Sequence, residues 1–294
     1  MGDVDKRITI LASDRGTWNT EPAPIFEDPN VRVFHWSGTV HNALAALDYL
    51  SPLTGVIVPL YEADVLPVAV ATEVYGVRGL SWKAVSHTVD RFLLRRTLDG
   101  NLSPQYGEAP QWDCGDPWRQ VCKARASCCG SGVVAFDEID DADAAAERAV
   151  LGAHDEISSL EAAYSILGRP SLRYPDVRVV YERFIDGPQY EVSGVVAEPG
   201  DVEIWEPLKQ RWSGGKILGY ERSEGWDENL RAVAARAVAN LGLSWCGFCV
   251  EVRQGKVIEV NARLGDDGLG YDALLRGDHP TRYHRMISFL RSRL

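Results

Sequence analysis

The segment Phe248-Cys-Val-Glu-Val-Arg-Gln-Gly-Lys-Val-Ile-Glu-Val-Asn-Ala-Arg-Leu-Gly265 limits what this chain can fold into more than any other stretch. Cys246 to Arg253 and Lys256 to Asn261 read as two strands of a hairpin joined across Gln254-Gly255. Their apolar residues suit a buried sheet, yet each strand carries a carboxylate, Glu251 and Glu259. Glu259 and Asn261 lie two apart and share one sheet face, and in a short hairpin Glu251 lies across from that pair. Two carboxylates and an amide oxygen make a hard oxygen site. Mg²⁺ takes such a set when it also keeps waters and phosphate oxygens, and Mn²⁺ suits the same donors. Arg263 follows on the same side, with a planar fork that holds a phosphate or carboxylate in two places. Glutamates on an exposed strand face are ordinary, but a buried sheet whose charges converge on one face needs a counter-charge.

Three further pieces bear on the site. Lys123 sits on a strand, Gln120 to Ala124, ahead of the small-residue loop Ser127 to Gly132, whose Ser131 and Gly132 precede a second strand, Val133 to Phe136. Such a loop lets backbone amides approach phosphate oxygens, and the lysine adds a point charge, although no Gly-Lys-Ser/Thr P-loop is present. Tyr181-Glu-Arg-Phe-Ile-Asp-Gly-Pro-Gln-Tyr190 is an apolar strand running into a turn, and it reads either as a plain edge strand or as the rim of a purine pocket. Lys209 to Lys216 is expected to be a flexible cationic loop, with Lys209, Arg211 and Lys216 either solvated or holding a substrate carboxylate. Asp266 and Asp267 either hold a substrate ammonium or cap the next helix.

Along the chain, the first third alternates strand and helix. Arg7 to Ala12, Val31 to Trp36 and Gly55 to Pro59 are strands, His41 to Leu50 and Tyr61 to Tyr75 are helices, and a short strand lies near Val77. Units of this length predict an open parallel sheet. A helix from His87 to Asp99 carries Arg91, Arg95 and Arg96, followed by a proline-bearing connector. Helices are expected at Asp140 to Ala153 and at Ser158 to Leu167, the second capped by Ser158 or Ser159 and stopped by Gly168. Asp176 to Ile185, Tyr190 to Glu198 and Val202 to Trp205 read as strands, and Glu228 to Leu241 and His279 to Arg293, with Pro280 in its first turn, as helices.

The balance of 31 Lys+Arg against 42 Asp+Glu in 294 residues gives −11, which disfavours a nucleic-acid backbone as partner. No apolar run is long enough to span a bilayer, and Met1-Gly-Asp-Val-Asp-Lys6 lacks the order of an export signal, so a cytoplasmic protein is expected. Cys246 and Cys249 have half-zinc-site spacing, but three residues apart on a strand they face opposite ways and read as small buried residues. The six histidines form no cluster, and no Gly-x-Gly-x-x-Gly follows Leu11, which excludes a dinucleotide-binding dehydrogenase.

Taken in order, these pieces resemble the ATP-grasp superfamily, nearest its carboxylate–amine ligases, over roughly residues 55–275. Val121-Cys-Lys123 with Ser127 to Val133 resembles the phosphate-clamping lysine and glycine loop. Tyr181 to Tyr190 resembles the adenine hinge and ribose segment, here Glu182, Arg183, Phe184, Ile185 and Gln189, with glutamine where many members have glutamate. Glu251, Glu259 and Asn261 resemble the magnesium triad, and Asn261-Ala-Arg263 the Asn-x-Arg motif whose arginine stabilises the transferring phosphoryl group. Arg91 stands where the family often has a phosphate-contacting lysine. The resemblance implies an α/β (α+β) architecture: a small Rossmann-like substrate-side domain (1–88), a central segment (89–117), a lid (118–181) and a mixed-sheet catalytic domain (182–294). It also implies ATP and Mg²⁺ as cofactors, small-molecule carboxylate and amine substrates, and acyl-phosphate chemistry in which Lys123 and Arg263 are catalytic. Intramolecular ring closure, a phosphotransferase, or a non-catalytic nucleotide-binding module are the alternatives. A homodimer would follow what is common among soluble enzymes.

Overall fold

The computed structural model describes residues 7–13, 28–48, 55–110, 119–126, 132–137, 141–169, 178–213, 216–223, 228–265 and 281–294. Near its start, β1 (Ile8–Ser13) is the middle strand of a parallel sheet, between β2 (Val31–Trp36) and β3 (Val56–Pro59). Strands β1 and β3 are buried throughout, the mark of a parallel sheet covered on both faces. Helix α1 (Val40–Asp48) and helix α2 (Glu62–Tyr75) pack on one face. The Asp64 carboxylate accepts from the Tyr61 N–H (2.8 Å) and from Trp36 Nε1 (2.7 Å), fixing the start of α2 to the end of β2. Near Val77 the expected strand is only a single bridge, Arg78 to Val56.

The helix expected from His87 to Asp99 is two helices, α3 (Trp82–Val89) and α4 (Arg91–Thr97). Asp90 breaks them. Its backbone is extended, and its carboxylate accepts from the Phe92 and Leu93 amides (3.0 and 3.2 Å), the N-cap geometry aspartate favours over a helix interior. The same fully buried carboxylate pairs with Arg125 at 2.7 Å.

A second sheet has the order β4-β7-β5-β6. Its members are β4 (Tyr106–Gly107), β5 (Gln120–Ala124), β6 (Val133–Phe136) and β7 (Val179–Arg183). Strand β4 lies where a connector was expected; two residues are too few to show alternation. Helix α5 (Ala142–Gly152) covers β5 and β6, with Cys122, Phe136, Ala145, Ala149 and Tyr181 between. Helix α6 (His154–Ile166) begins four residues before Ser158, so Ser158 and Ser159 lie inside it, and Gly168, in the left-handed region, follows its C-cap Leu167 and stops it, as expected. Most of the loop read as phosphate-binding, Ser127 to Ser131, lies outside the described residues; Gly132 accepts from the Ala124 N–H at 2.7 Å.

The third sheet is antiparallel: β8 (Gln189–Val196), β9 (Val202–Ile204), β10 (Leu208–Ser213), β11 (Lys216–Arg222), β12 (Cys246–Arg253) and β13 (Lys256–Asn261). Their order is β11-β10-β8-β12-β13, with β9 on the far half of β8. Val192, Val196, Cys246, Phe248, Val250, Val252, Val257 and Val260 form one core with helix α7 (Glu228–Leu241) and the α2–α3 region. The opposite face is polar along β8, β12 and β13. Helix α8 (Arg282–Arg291) starts after the Thr281 cap rather than at His279, and Pro280 is outside the described residues. Among the described residues no helix is long and apolar enough to cross a membrane.

Asp90→Ala removes two capping hydrogen bonds at the start of α4 and the carboxylate that pairs with buried Arg125, so it should lower stability by about 3–5 kcal/mol in urea unfolding. A loss below ~1 kcal/mol would show that Asp90 does not organise this junction.

Candidate functional site

The hairpin of β12 and β13 turns through Gln254 and Gly255, both at positive φ (47° and 73°), as a two-residue turn requires. It places Glu251 directly opposite Glu259. On the other side β8 places Glu191 opposite Glu251, so three carboxylates form a row across three strands. Asn261 lies one step along the same face from Glu259, opposite Cys249. Cys246 is on the apolar face and Cys249 on the polar one, as strand alternation predicts. Among the described residues no three His, Cys, Asp or Glu side chains gather as a metal-ligating group.

Each carboxylate of the row meets its own donors. Arg91, at the start of α4 and buried, donates to Glu259 Oε1 at 2.5 Å. Gln189 and Gln210 donate to Glu251 at 2.5 and 3.5 Å. Glu191 accepts from Ser193 and Tyr220, both at 2.9 Å, and pairs with Arg282 of α8 at 3.3 Å. The electrostatics split the facing pair. Burial, helped by Glu259 and Glu191, pushes Glu251 up to about 8. Burial also opposes charge on Glu259, but Arg91, Lys123 and Arg263 outweigh it and hold its carboxyl below the ordinary value.

The β4-β7-β5-β6 sheet meets this hairpin at a second buried cluster. A bulge between Val257 and Glu259 leaves Ile258 out of register. The Ile258 carbonyl accepts from Arg95 Nη2 (2.6 Å) and Lys123 Nζ (3.3 Å), and the Val257 carbonyl from Arg95 Nη1 (2.8 Å). Glu182 on β7 joins the same cations, bidentate to Arg95 (2.7 and 3.1 Å) and 2.9 Å from Lys123. Burial opposes the Glu182 charge, yet Arg95 and Lys123 bring its carboxyl down to about 2. For Lys123, burial prevails and lowers its pKa. Arg263 reaches back to the N-terminal unit, donating to Glu62 at the start of α2 (2.9 Å) and to the Leu264 carbonyl (2.8 Å).

The structure thus brings Arg91, Lys123, Glu182, Gln189, Glu251, Glu259, Asn261 and Arg263 into one connected region. Glu182 points into the cation cluster, which leaves the backbone of the segment after it as the part free of that cluster. The Arg183 and Phe184 amides are bonded to the Gln105 and Arg119 carbonyls (both 2.9 Å), whereas the Ile185 amide has no partner among the described residues. The Phe184 ring lies between the guanidiniums of Arg119 and Arg253, 4.6 and 5.7 Å from its centroid.

Lys209 and Arg211 do not join the site. The stretch read as a loop is the hairpin of β10 and β11, and strand alternation turns these two cations to the opposite face, beside Glu221 (3.7 and 3.8 Å). Gln210 takes the inward position instead, opposite Gln189. Lys216 opens β11, while Ser131, Asp266 and Asp267 are outside the described residues. Sequence reasoning missed Glu191, Gln210, Tyr220, Arg282 and the pairing role of Arg95. Glu191 alternates with Gln189, but the pairing of β8 with β12 that puts it in the row joins residues far apart in the chain.

No family model matches the sequence, and no curated protein matches it. Solved structures do resemble the fold. L-amino acid ligase from Bacillus licheniformis aligns at a TM-score of 0.68 and 16% identity, over 97% of this chain and 74% of that one. N5-carboxyaminoimidazole synthetase from Staphylococcus aureus aligns at 0.67 and 11%, over 97% and 77%. D-alanine–D-alanine ligase from Bacillus anthracis aligns at 0.60 and 15%, over 98% and 97%. The fold is therefore that of the ATP-grasp ligases. The likeness runs along nearly the whole chain, beyond the stretch that carries the sequence resemblance.

Glu182→Gln leaves Arg95 and Lys123 buried without their anion and should cost about 3–5 kcal/mol at pH 7. Because the folded carboxyl sits at about 2 against an ordinary 4.5, the stability it supplies is present above 4.5 and lost as pH falls toward 2. In urea titrations the gap between wild type and variant should shrink over that window; a gap constant with pH would contradict the pairing.

Proposed function

We propose that the protein is an ADP-forming ligase that phosphorylates the carboxylate of a small molecule with Mg·ATP and passes the acyl group to an amine, or to a nucleophile within the same molecule. One observation carries the reading: on an ATP-grasp fold, Glu251 and Glu259 face each other on a polar sheet face beside Asn261, with Arg91, Lys123 and Arg263 around them. The donor set fits a hard divalent cation. Burial and a facing carboxylate raise Glu251, the strain that a cation between the two acids relieves.

Glu251, Glu259 and Asn261 would hold Mg²⁺, or Mn²⁺, which when bound neutralises charge on the phosphate oxygens. Lys123 and Arg91 place positive charge on the nucleotide side, and Arg263 on the side of the N-terminal unit, where the transferring group meets the substrate. The Ile185 amide is the donor for the base edge, and Gln189, bonded to both Glu251 and Arg253, joins the nucleotide and metal halves. A substrate carboxylate oxygen attacks the γ-phosphorus and ADP leaves; the nucleophile then attacks the acyl carbon and phosphate leaves. The β4-β7-β5-β6 unit acts as the lid that keeps water from the acyl phosphate. In this reading the lid gains β4 from the central segment, and strand β7 runs through its boundary with the catalytic unit. The place of work is the cytoplasm, without nucleic-acid or membrane partners.

Incubated with Mg·ATP and a pool of amino acids and small carboxylic acids, the protein should yield ADP and phosphate by phosphorus NMR only when the pool is present. AMP with pyrophosphate would overturn phosphoryl transfer to a carboxylate. Asn261→Ala should cut turnover at least about a hundredfold with the fold intact by circular dichroism. Unimpaired turnover would remove Asn261 from the metal set.

A further inference from the structure

Resting on that reading, we infer that Arg253 and Trp212 are positioning residues for the metal site, each acting on Glu251 through a glutamine. The two facing acids are held differently. Glu259 takes a cation, Arg91. Glu251 takes two uncharged amides, from Gln189 at 2.5 Å and Gln210 at 3.5 Å, and among the described residues no cation is bonded to it. An amide can face a carboxylate either way round, and only its N–H side binds. The far end of each amide decides which side that is. Gln189 Oε1 accepts from Arg253 Nε at 2.7 Å, and Gln210 Oε1 accepts from Trp212 Nε1 at 3.0 Å. Guanidinium and indole are donors only. Turning either glutamine over would set N–H against N–H at one end and oxygen against oxygen at the other, so both amides are held with N–H toward Glu251.

Strand register puts the parts in place. Gln210 lies opposite Gln189, and Gln189 lies opposite Arg253, two residues from Glu251 on β12. Trp212 follows Gln210 by two residues on β10 and is 42% exposed, so its indole contributes little to a core. Two neutral donors fix the direction of the Glu251 oxygens and put no positive charge beside them to repel a metal. Arg253 has a second task. Its Nη1 donates to the Ile185 carbonyl at 3.2 Å, and its guanidinium lies 5.7 Å from the Phe184 ring centroid. The residue that orients Gln189 therefore also steadies the segment assigned to the base.

Calorimetric titration of the full chain with ADP in EDTA and with Mn·ADP gives, for each variant, the factor by which metal tightens nucleotide binding. Effects on the nucleotide alone cancel in that factor. Gln189→Met should reduce it about tenfold, and Trp212→Phe, acting through the longer bond, at least about threefold. In a Gln210→Met background Trp212→Phe should change it by less than about twofold, because the amide it orients is gone. Arg253→Met should lower the factor while Gln189 is present. In Gln189→Met the same substitution removes only a positive charge and should leave the factor unchanged or raise it. Arg253→Met should also weaken ADP binding in EDTA at least about threefold, through Ile185. An unchanged factor in Trp212→Phe, or an equal loss with and without Gln210, would overturn the role of Trp212. A loss in Arg253→Met that persists without Gln189 would overturn the role of Arg253. In both cases the nucleotide reading stands. No tightening of ADP binding by Mn²⁺ in the wild type would overturn the metal reading as well.

Discussion

Two carboxylates that face each other inside a protein need a proton, hydrogen-bond donors or cations brought to them, and the rest of this structure is arranged around that requirement. The β12–β13 hairpin puts Glu251 against Glu259. Arg91 answers Glu259, and Arg91 is where it is because Asp90 ends α3, starts α4 and grips Arg125 at the end of β5. The Arg91 amide also donates to the Arg125 carbonyl at 2.7 Å. Helix α4, strand β5 and the β12–β13 hairpin thus meet through one run of alternating charges.

The same logic governs the neighbouring clusters. Arg95 and Lys123 neutralise Glu182 and also take the carbonyls that the Ile258 bulge leaves free, so buried polar groups fasten the β4-β7-β5-β6 sheet to the hairpin. Glu191 is anchored by Arg282, which also donates to the Gly265 carbonyl at 3.3 Å. A Cβ on Gly265 would lie 2.7 Å from Glu191 Oε1, so any larger residue there would have to displace this carboxylate. Buried ion pairs of this kind add little net stability, but each fixes a side chain in one place, which is what a site for a highly charged ligand needs.

How much of this was legible follows from the range of each interaction. The acid hairpin was readable to the residue, because its face, turn and strand ends are all local. Lys123 on β5 and the Glu228–Leu241 helix were readable for the same reason. The row's third member was not, since Glu191 joins only through the pairing of β8 with β12. Nor was the break at Asp90, where helical periodicity runs on both sides and only the buried Arg125 shows why the chain caps there. Lys209 and Arg211 were expected on a loop, either solvated or facing a substrate, because Ser213-Gly-Gly215 signalled one. Once that stretch is a hairpin, period-two alternation turns both cations away and Gln210 inward.

On the proposed reading, the polar face of β12 and β13 holds a divalent cation in contact with nucleotide phosphate. Pulsed electron paramagnetic resonance of Mn²⁺ with ADP and the full chain measures that directly through phosphorus hyperfine coupling. The account predicts one Mn²⁺ per chain coupled to phosphorus, with the coupling lost in Asn261→Ala. Mn²⁺ bound without phosphorus coupling, or coupling that survives that substitution unchanged, would contradict it.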